Sequence, residues 1–433
     1  MEQTLSSAVG DVKNARSVLR SRFAGCVGHA IEWFDFSIYA NLAIFFSGQL
    51  FPGDSKEVKL LAAFGVYAFG FIMRPLGGWL LGVLADRHGR RAALSLSVQL
   101  MALGSLLLAI VPTYDRIGFA APVIATIARL LQGLSTGGEF AAAISFLGET
   151  APSDKRGLHG SFLFFGTGIG LMCASGIVWL LNGSLSHDQM IAYGWRIPFV
   201  IGAISGVFAW WLRQRVAETA IFEEARADGK RTMGSVRELF TKHRKPVFTL
   251  FGIGICGTFA FYLFGVYVPV YAIQRTGASP STAYAAGSFA LAIYTLMHPF
   301  FGMLSDRVGR RPQMLVFAGF YTLFLYPVVL SVQPTFWSIA GIEIFGLVLY
   351  ALFSSIIPAV LSELFETEIR TVGIGLPINL VIAAFGGTTP FLMTWLQSIH
   401  HDNYFLIYVS VGSFITLVTI WRMKETNGCS LID

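Results

Sequence analysis

Charge is what this sequence has least of. Only 13% of its 433 residues are Asp, Glu, Lys or Arg, against roughly 25% in soluble domains. So apolar a chain cannot cover a water-facing surface, and a mean hydropathy of +0.63 agrees. Cysteine is scarce too. Cys26, Cys173, Cys256 and Cys429 are scattered, three of them in apolar stretches, with no spacing of a disulfide framework or metal site. No G-x-x-x-x-G-K-[ST] loop occurs, which argues against ATP-driven work. No nucleophile elbow or catalytic cluster occurs either, so we expect neither an enzyme nor a metal site. The alternating pattern of transmembrane barrel strands is absent. The polar first twenty residues show no cleavable signal, so the first apolar segment is expected to be retained.

What is present is long apolar runs. A helix of ~20 such residues crosses a bilayer. Twelve are found, near 23–49, 60–84, 93–111, 122–147, 160–181, 197–212, 247–272, 282–304, 313–331, 336–361, 372–397 and 404–421. The sequence thus predicts an all-α membrane protein of twelve spans. A polar N-terminal segment (1–22) precedes a six-helix bundle (23–212). A charged central loop (213–246) leads to a second bundle (247–421) and a short tail (422–433). Residues 237–239 of the central loop could begin an amphipathic turn on the membrane surface. With the N-terminus placed in the cytoplasm, 24 Lys and Arg fall on cytoplasmic segments and five outside. That bias places both termini and the central loop inside. It also accounts for the +6 net charge without a nucleic-acid partner.

The chain repeats itself. GVLADRHGRR at 82–91 and GMLSDRVGRR at 302–311 share G-x-x-x-D-R-x-G-R-R, each after the second span of its half. Glu149 and Arg156 follow span 4 as Glu363 and Arg370 follow span 10. Matching motifs at matching positions predict two homologous six-helix halves. Within the motif, Gly82, Gly89, Gly302 and Gly309 permit close turns. Asp86 and Asp306 can cap the helix that follows. Arg87, Arg90, Arg307 and Arg310 can pair with Glu149 and Glu363, forming a latch that holds one conformation and releases in another.

The duplicated loop, the twelve spans and the long central loop resemble the major facilitator superfamily over essentially the whole chain. EWFDF (32–36), GFIMRPLGGWL (70–80), ARLLQGLSTGGEF (128–140), GWRIPF (194–199), and IRTVG with FGG at 369–373 and 385–387 are similar to its metabolite:proton symporters. That resemblance includes permeases for 2-oxoglutarate, citrate, shikimate, and proline or betaine. It implies proton-driven uptake across a bacterial inner membrane, protons being the only coupling ion and no other cofactor being involved. Alternating access would come from rocking of the two halves.

Polar residues inside the spans mark candidate sites, because charge there is costly. Glu32 and Asp35 lie midway along span 1, with His29 a turn below on one face. Crowding and desolvation make either carboxylate able to bind and release a proton. Arg74 in span 2 and Arg129 in span 4 can hold a carboxylate in a bidentate fork, or pair with Asp35 or Glu139. The resembling fold favours Arg129 for the cavity, with Gln132 beside it, and makes Arg74 partly structural. In the second half, Glu343 stands where the repeat places Arg129, 214 residues earlier. It joins Glu32, Asp35 and Glu139 as a proton-site candidate. His29, Tyr262, Tyr294 and Asn379 are candidate substrate contacts. His298 precedes Pro299 and can bond a carbonyl freed by that proline.

Two departures matter. The resembling family often has Asn at the position of His29. The short tail fits poorly with osmolyte carriers that end in a long coiled coil. The expectation is therefore a monomeric symporter that imports a small organic acid, a di- or tricarboxylate such as citrate or 2-oxoglutarate. The alternatives are a carrier of zwitterionic proline or betaine, a carrier of shikimate-like acids, and, more remotely, a non-transporting membrane sensor.

Overall fold

The structure is a computed structural model that describes residues 2–214, 218, 223, 236–386, 389, 392, 396 and 401–431. Side chains are described from residue 26 on, except at 57, 266, 274, 280 and 402. Among these residues there is no strand. The first half holds α1 (Glu2–Leu50), α2 (Lys56–His88), α3 (Arg90–Ile110), α4 (Ala120–Thr150), α5 (Arg156–Ser184) and α6 (Arg196–Gln214). The second holds α7 (Arg244–Tyr262), α8 (Pro280–Val308), α9 (Arg310–Leu330), α10 (Phe336–Ser354), α11 (Arg370–Val381) and α12 (Asp402–Arg422). Short helical turns between them are left unlabelled. Most of the central loop and the far part of the eleventh span lie outside the described residues. The turn expected at 237–239 falls in a short helix, Val236–Thr241, whose Leu239 is buried.

Among the described residues, nine helices are long and apolar enough to cross a bilayer, and Arg370–Gly386 is a shorter apolar one. The long helices α1 and α4 fall below that hydropathy because Glu32, Asp35, Arg129 and Glu139 interrupt them. Gly89 and Gly309 divide α2 from α3 and α8 from α9 with φ of 103° and 95°, a backbone region that side chains disfavour. Prolines inside α2, α8, α9 and α11 (Pro75, Pro299, Pro327 and Pro377) are tolerated as they are in other buried apolar helices. One-turn π segments continue α7 at Leu263–Tyr267 and α11 at Ile382–Gly386. Such segments often border functional sites.

Glycine sets how closely α2 and α4 approach. A Cβ at Gly77 would overlap the Leu134 carbonyl, and one at Gly133 the Gly70 carbonyl. One at Gly137 would overlap the Arg74 carbonyl. Backbone-to-backbone packing of this small-residue kind fixes Arg74 and Arg129 against each other. The halves meet along α2 with α11 and α5 with α8. There too the backbones touch: a Cβ on Gly375 would stand 2.7 Å from the Gly78 carbonyl oxygen.

Candidate functional site

Between the halves lies a cavity with about 800 Å³ of space free of protein atoms. The first half lines it with His29, Glu32, Trp33, Arg74, Thr136, Phe140 and Phe164. The second lines it from α7, the α10 region and α11.

Glu32 sits in this wall, buried. The Trp33 indole donates to His29 Nε2 at 3.0 Å, and His29 Nδ1 lies 3.1 Å from Glu32 Oε2. An indole nitrogen only donates, so Nε2 is the bare nitrogen and Nδ1–H donates to the carboxylate. The other oxygen, Oε1, has no hydrogen-bond partner among the described residues. Arg74 shares the wall. Its guanidinium lies 4.6 Å from the centres of both the Phe36 and Phe71 rings, while Nε and Nη2 find no acceptor among the described residues. Aromatic faces hold a desolvated cation for about 2 kcal/mol or more and leave its donors available to a ligand.

Arg129 stands elsewhere, and this corrects the expectation from sequence. It does not line the cavity. It is fully buried inside the first half, where Phe36, Tyr39 and Tyr67 surround it at 4.6–4.9 Å. Gln132, expected beside a substrate, instead accepts from Arg129 at 2.7 Å and donates to Ser105 at 2.9 Å. Asp35 occupies the same interior, packed so closely on α6 that a Cβ at Gly202 would overlap its Oδ1. Among the described residues, neither Asp35 oxygen meets a hydrogen-bond donor in bonding geometry. Ser105 and Arg129 are the polar groups acting on its charge, and no Asp35–Arg129 ion pair forms among the described residues.

Glu139 was expected to face an arginine of α2 or α4, or to carry a proton. Its partner is Arg213, at the end of α6, in a tight buried ion pair. Ser97 adds a hydrogen bond at 3.2 Å, and Arg213 also donates to the Leu94 carbonyl at 2.6 Å. Gly28 leaves room for this guanidinium. The sequence reading missed Arg213 because WWLRQR looks like the start of a polar loop. His29, Glu32 and Glu139 place one ligand atom each within 4.8 Å of one another. Both His29 nitrogens are engaged and Glu139 is paired, so a cation there would compete with existing contacts.

In the second half, Tyr262 lines the cavity, and so does Asn379. The Asn379 amide donates to the Gly137 and Gly375 carbonyls at 2.8 and 2.7 Å, so it ties the halves together. Tyr294 is not on the wall. It stacks on Tyr350 and edges against His298, whose Nε2 is 2.9 Å from Ser354 Oγ. Glu343 is also away from the wall. It is buried with neither oxygen bonded among the described residues, beside Pro269 and Gly287.

At the end of the bundle that carries both repeated loops, the motif residues cross between halves. Asp86 accepts from the N–H groups of Thr371 and Val372 at 3.2 and 2.9 Å. Asp306 accepts from Gly157 and Leu158 at 2.7 and 2.9 Å. Each aspartate therefore caps the fifth helix of the opposite half, not the helix that follows it. Arg90 bridges Asp86 and Glu149 at 2.8 and 2.9 Å, and Arg310 bridges Asp306 and Glu363 at 2.7 and 3.3 Å. Arg370 reaches Glu149 across the halves at 2.6 Å, and Arg156 reaches Glu363 at 3.7 Å. Gly82 and Gly302 allow this approach, to Val372 and Gly157 respectively, while Arg87 and Arg307 are exposed.

The helices following the motifs are capped by residues the sequence reading overlooked. Glu218 accepts from the Arg90 and Arg91 N–H groups at 3.1 Å each. Glu425 accepts from Arg310 and Arg311 at 2.8 and 3.0 Å. Arg91 and Arg311 then hold the Gln214 and Trp421 carbonyls, both at 2.5 Å. A signal was available: R-x-x-E-T occurs at 215–219 and at 422–426.

The Major Facilitator Superfamily family model matches residues 25–378. The chain belongs to that superfamily. Among curated superfamily relatives, it is similar to the alpha-ketoglutarate permease of Escherichia coli (strain K12), 33% identical over 98% of this chain and 99% of that one. It is also similar to the proline/betaine transporter of the same strain, 31% identical over 93% and 83%. The putative proline/betaine transporter of Staphylococcus aureus (strain COL) is 31% identical over 96% and 91%. Among solved structures, the superfamily proton:xylose symporter XylE bound to 6-bromo-6-deoxy-D-glucose superimposes with a TM-score of 0.80, at 18% identity over 97% of this chain and 98% of that one. FucP in the outward conformation does so with 0.66, at 15% identity over 93% and 100%. The protein is therefore a multi-pass membrane transporter of the superfamily fold, two homologous six-helix halves, and not an enzyme.

Proposed function

We propose that this transporter is a proton-coupled symporter that imports a small organic acid across the inner membrane of a bacterium, with both termini in the cytoplasm. The observation that carries this reading is the pairing, on one cavity wall, of a guanidinium with unbonded donors (Arg74) and a carboxylate satisfied on one oxygen (Glu32). A substrate carboxylate takes the bidentate position on Arg74. A proton on Glu32 removes the negative charge that would repel it, and His29, held by Trp33, keeps that carboxylate oriented. Asp35, facing Arg129 inside the same half, is a second titrating group that senses the same event. The charge-balanced cavity can then change the side it faces, with the motif latch closed in one state and open in the other. The 33% identical permease supports an acid substrate.

The test is proton entry into proteoliposomes on addition of candidate acids. Acid-driven proton entry that disappears in Arg74→Gln supports the reading. Acid uptake with no accompanying proton, or uptake unchanged in Arg74→Gln, overturns it.

A further inference from the structure

Among the described residues, the charged side chains on the cavity wall come from the first half. The second half supplies residues such as Ile253, Phe261, Tyr262, Tyr350, Ile357 and Leu361 and, among the described residues, no charged one. Its one amide, Asn379, already donates to two carbonyls. A ligand spanning the cavity therefore meets one guanidinium at one end and an uncharged, aromatic and aliphatic surface at the other. Arg129 is no second anchor, because it is fully buried and does not line the cavity. The Phe36 ring lies 4.6 Å from the Arg74 guanidinium carbon and 4.9 Å from that of Arg129.

Charge balance then discriminates between substrates. Arg74 contributes one positive charge and Glu32 one negative charge until it is protonated. A monocarboxylate entering with a proton on Glu32 leaves the wall neutral. A dicarboxylate leaves one negative charge facing an apolar surface, and a tricarboxylate leaves two. An unpaired charge buried in this way is strongly disfavoured. A zwitterion balances the wall with Glu32 still ionised and needs no proton.

We propose that the substrate is a monocarboxylate with a flat apolar body. Its carboxylate sits on Arg74, its body lies against Phe261, Tyr262 and Tyr350, and one proton rides on Glu32. The proposal rests on the reading of Arg74 as the carboxylate anchor. It departs from the di- and tricarboxylates expected from sequence.

Two measurements on the full-length protein test it. The first is calorimetric binding in nanodiscs of 4-hydroxybenzoate, 2-oxoglutarate, citrate and glycine betaine at acidic and alkaline pH. The second is uptake of the same labelled compounds into proteoliposomes, with protein-free vesicles setting the passive background. 4-Hydroxybenzoate should bind at least about tenfold more tightly than 2-oxoglutarate, the scale set by leaving one charge without its partner. Its binding should weaken at alkaline pH, and Tyr262→Arg should move the preference toward 2-oxoglutarate. The wild-type ranking decides the matter even if that variant fails to fold. Tighter binding of 2-oxoglutarate with proton entry overturns the monocarboxylate assignment and leaves organic-acid symport standing. Tighter binding of betaine, equal at both pH values, overturns both. Monocarboxylate binding without any acid-driven proton entry overturns the proton on Glu32 and the symport reading together, leaving only Arg74 as the carboxylate anchor. No binding of any of the four overturns the assignment.

Discussion

Arg74 and Arg129 carry the same charge and rest on the same phenylalanine, yet only one faces the cavity. The sequence could place both inside spans, but it could not tell which wall of each helix looks inward. That depends on the glycine contacts between α2 and α4. Glu139 was misread for a related reason. Its partner, Arg213, lies 74 residues later, where a run of charge looks like the start of a loop. Two predictions belong at this scale. Arg213→Ala leaves Glu139 as an unpaired buried charge and should lower stability by about 3–5 kcal/mol. The double variant Arg213→Gln with Glu139→Gln should recover most of that loss, as read from thermal unfolding in detergent. Asp35→Asn fixes that site in its neutral form. It should abolish accumulation driven by the proton gradient while leaving substrate binding by calorimetry within a few-fold. Full gradient-driven accumulation by Asp35→Asn would remove Asp35 from the mechanism.

Among the elements, the twelve spans and the duplicated loop were legible because hydropathy and repetition are written along the chain. The partners of the loop were not. Capping rules favour the nearest helix, whereas Asp86 and Asp306 reach across to α11 and α5. Only assembly of the two halves brings those helix ends within reach. Asp86→Asn keeps the size of the side chain but lowers its charge at the α11 N-terminus. Amide exchange at Thr371 and Val372 should rise several-fold, while exchange in α3 is unchanged. Equal exchange in both segments would show that the cap does not hold the halves. Within the first half, Gly137→Leu should push α2 from α4 and destabilise the protein by at least about 1–3 kcal/mol, the usual cost of overpacking. A melting point equal to wild type would contradict the close packing.

For the whole molecule, the tail joins what the halves close. Thr426 donates to Glu363 at 2.7 Å. The Cys429 carbonyl receives Arg156 at 2.5 Å, and the Leu431 carbonyl receives Arg370 and Thr367 at 3.1 and 2.7 Å. Glu425 in this segment is partly desolvated, which alone would raise its pKa. The N–H groups of Asn427, Arg310, Arg311 and Thr426 outweigh that and hold it below the usual glutamate value. A group whose pKa is depressed in the folded state contributes its stabilisation above its ordinary pKa, and that contribution fades as pH falls through the folded value. Acidification below about pH 4 should therefore free the amides of Arg310 and Arg311 to exchange. Glu425→Gln should show fast exchange there already at neutral pH. Slow exchange in that variant would assign the capping to another group.

The contact between Gly78 and Gly375 lies deeper than the latch, and there the two backbones touch directly, with the Asn379 amide of α11 beside them. Ion pairs and caps break when two surfaces separate. Two backbones in direct contact can roll over each other with little to rearrange beyond the Asn379 amide. The halves thus have a bearing one turn inward from a lock. A single methyl group at Gly375 would act as a wedge in that bearing, slowing the change of facing while leaving the residues of the lock chemically intact.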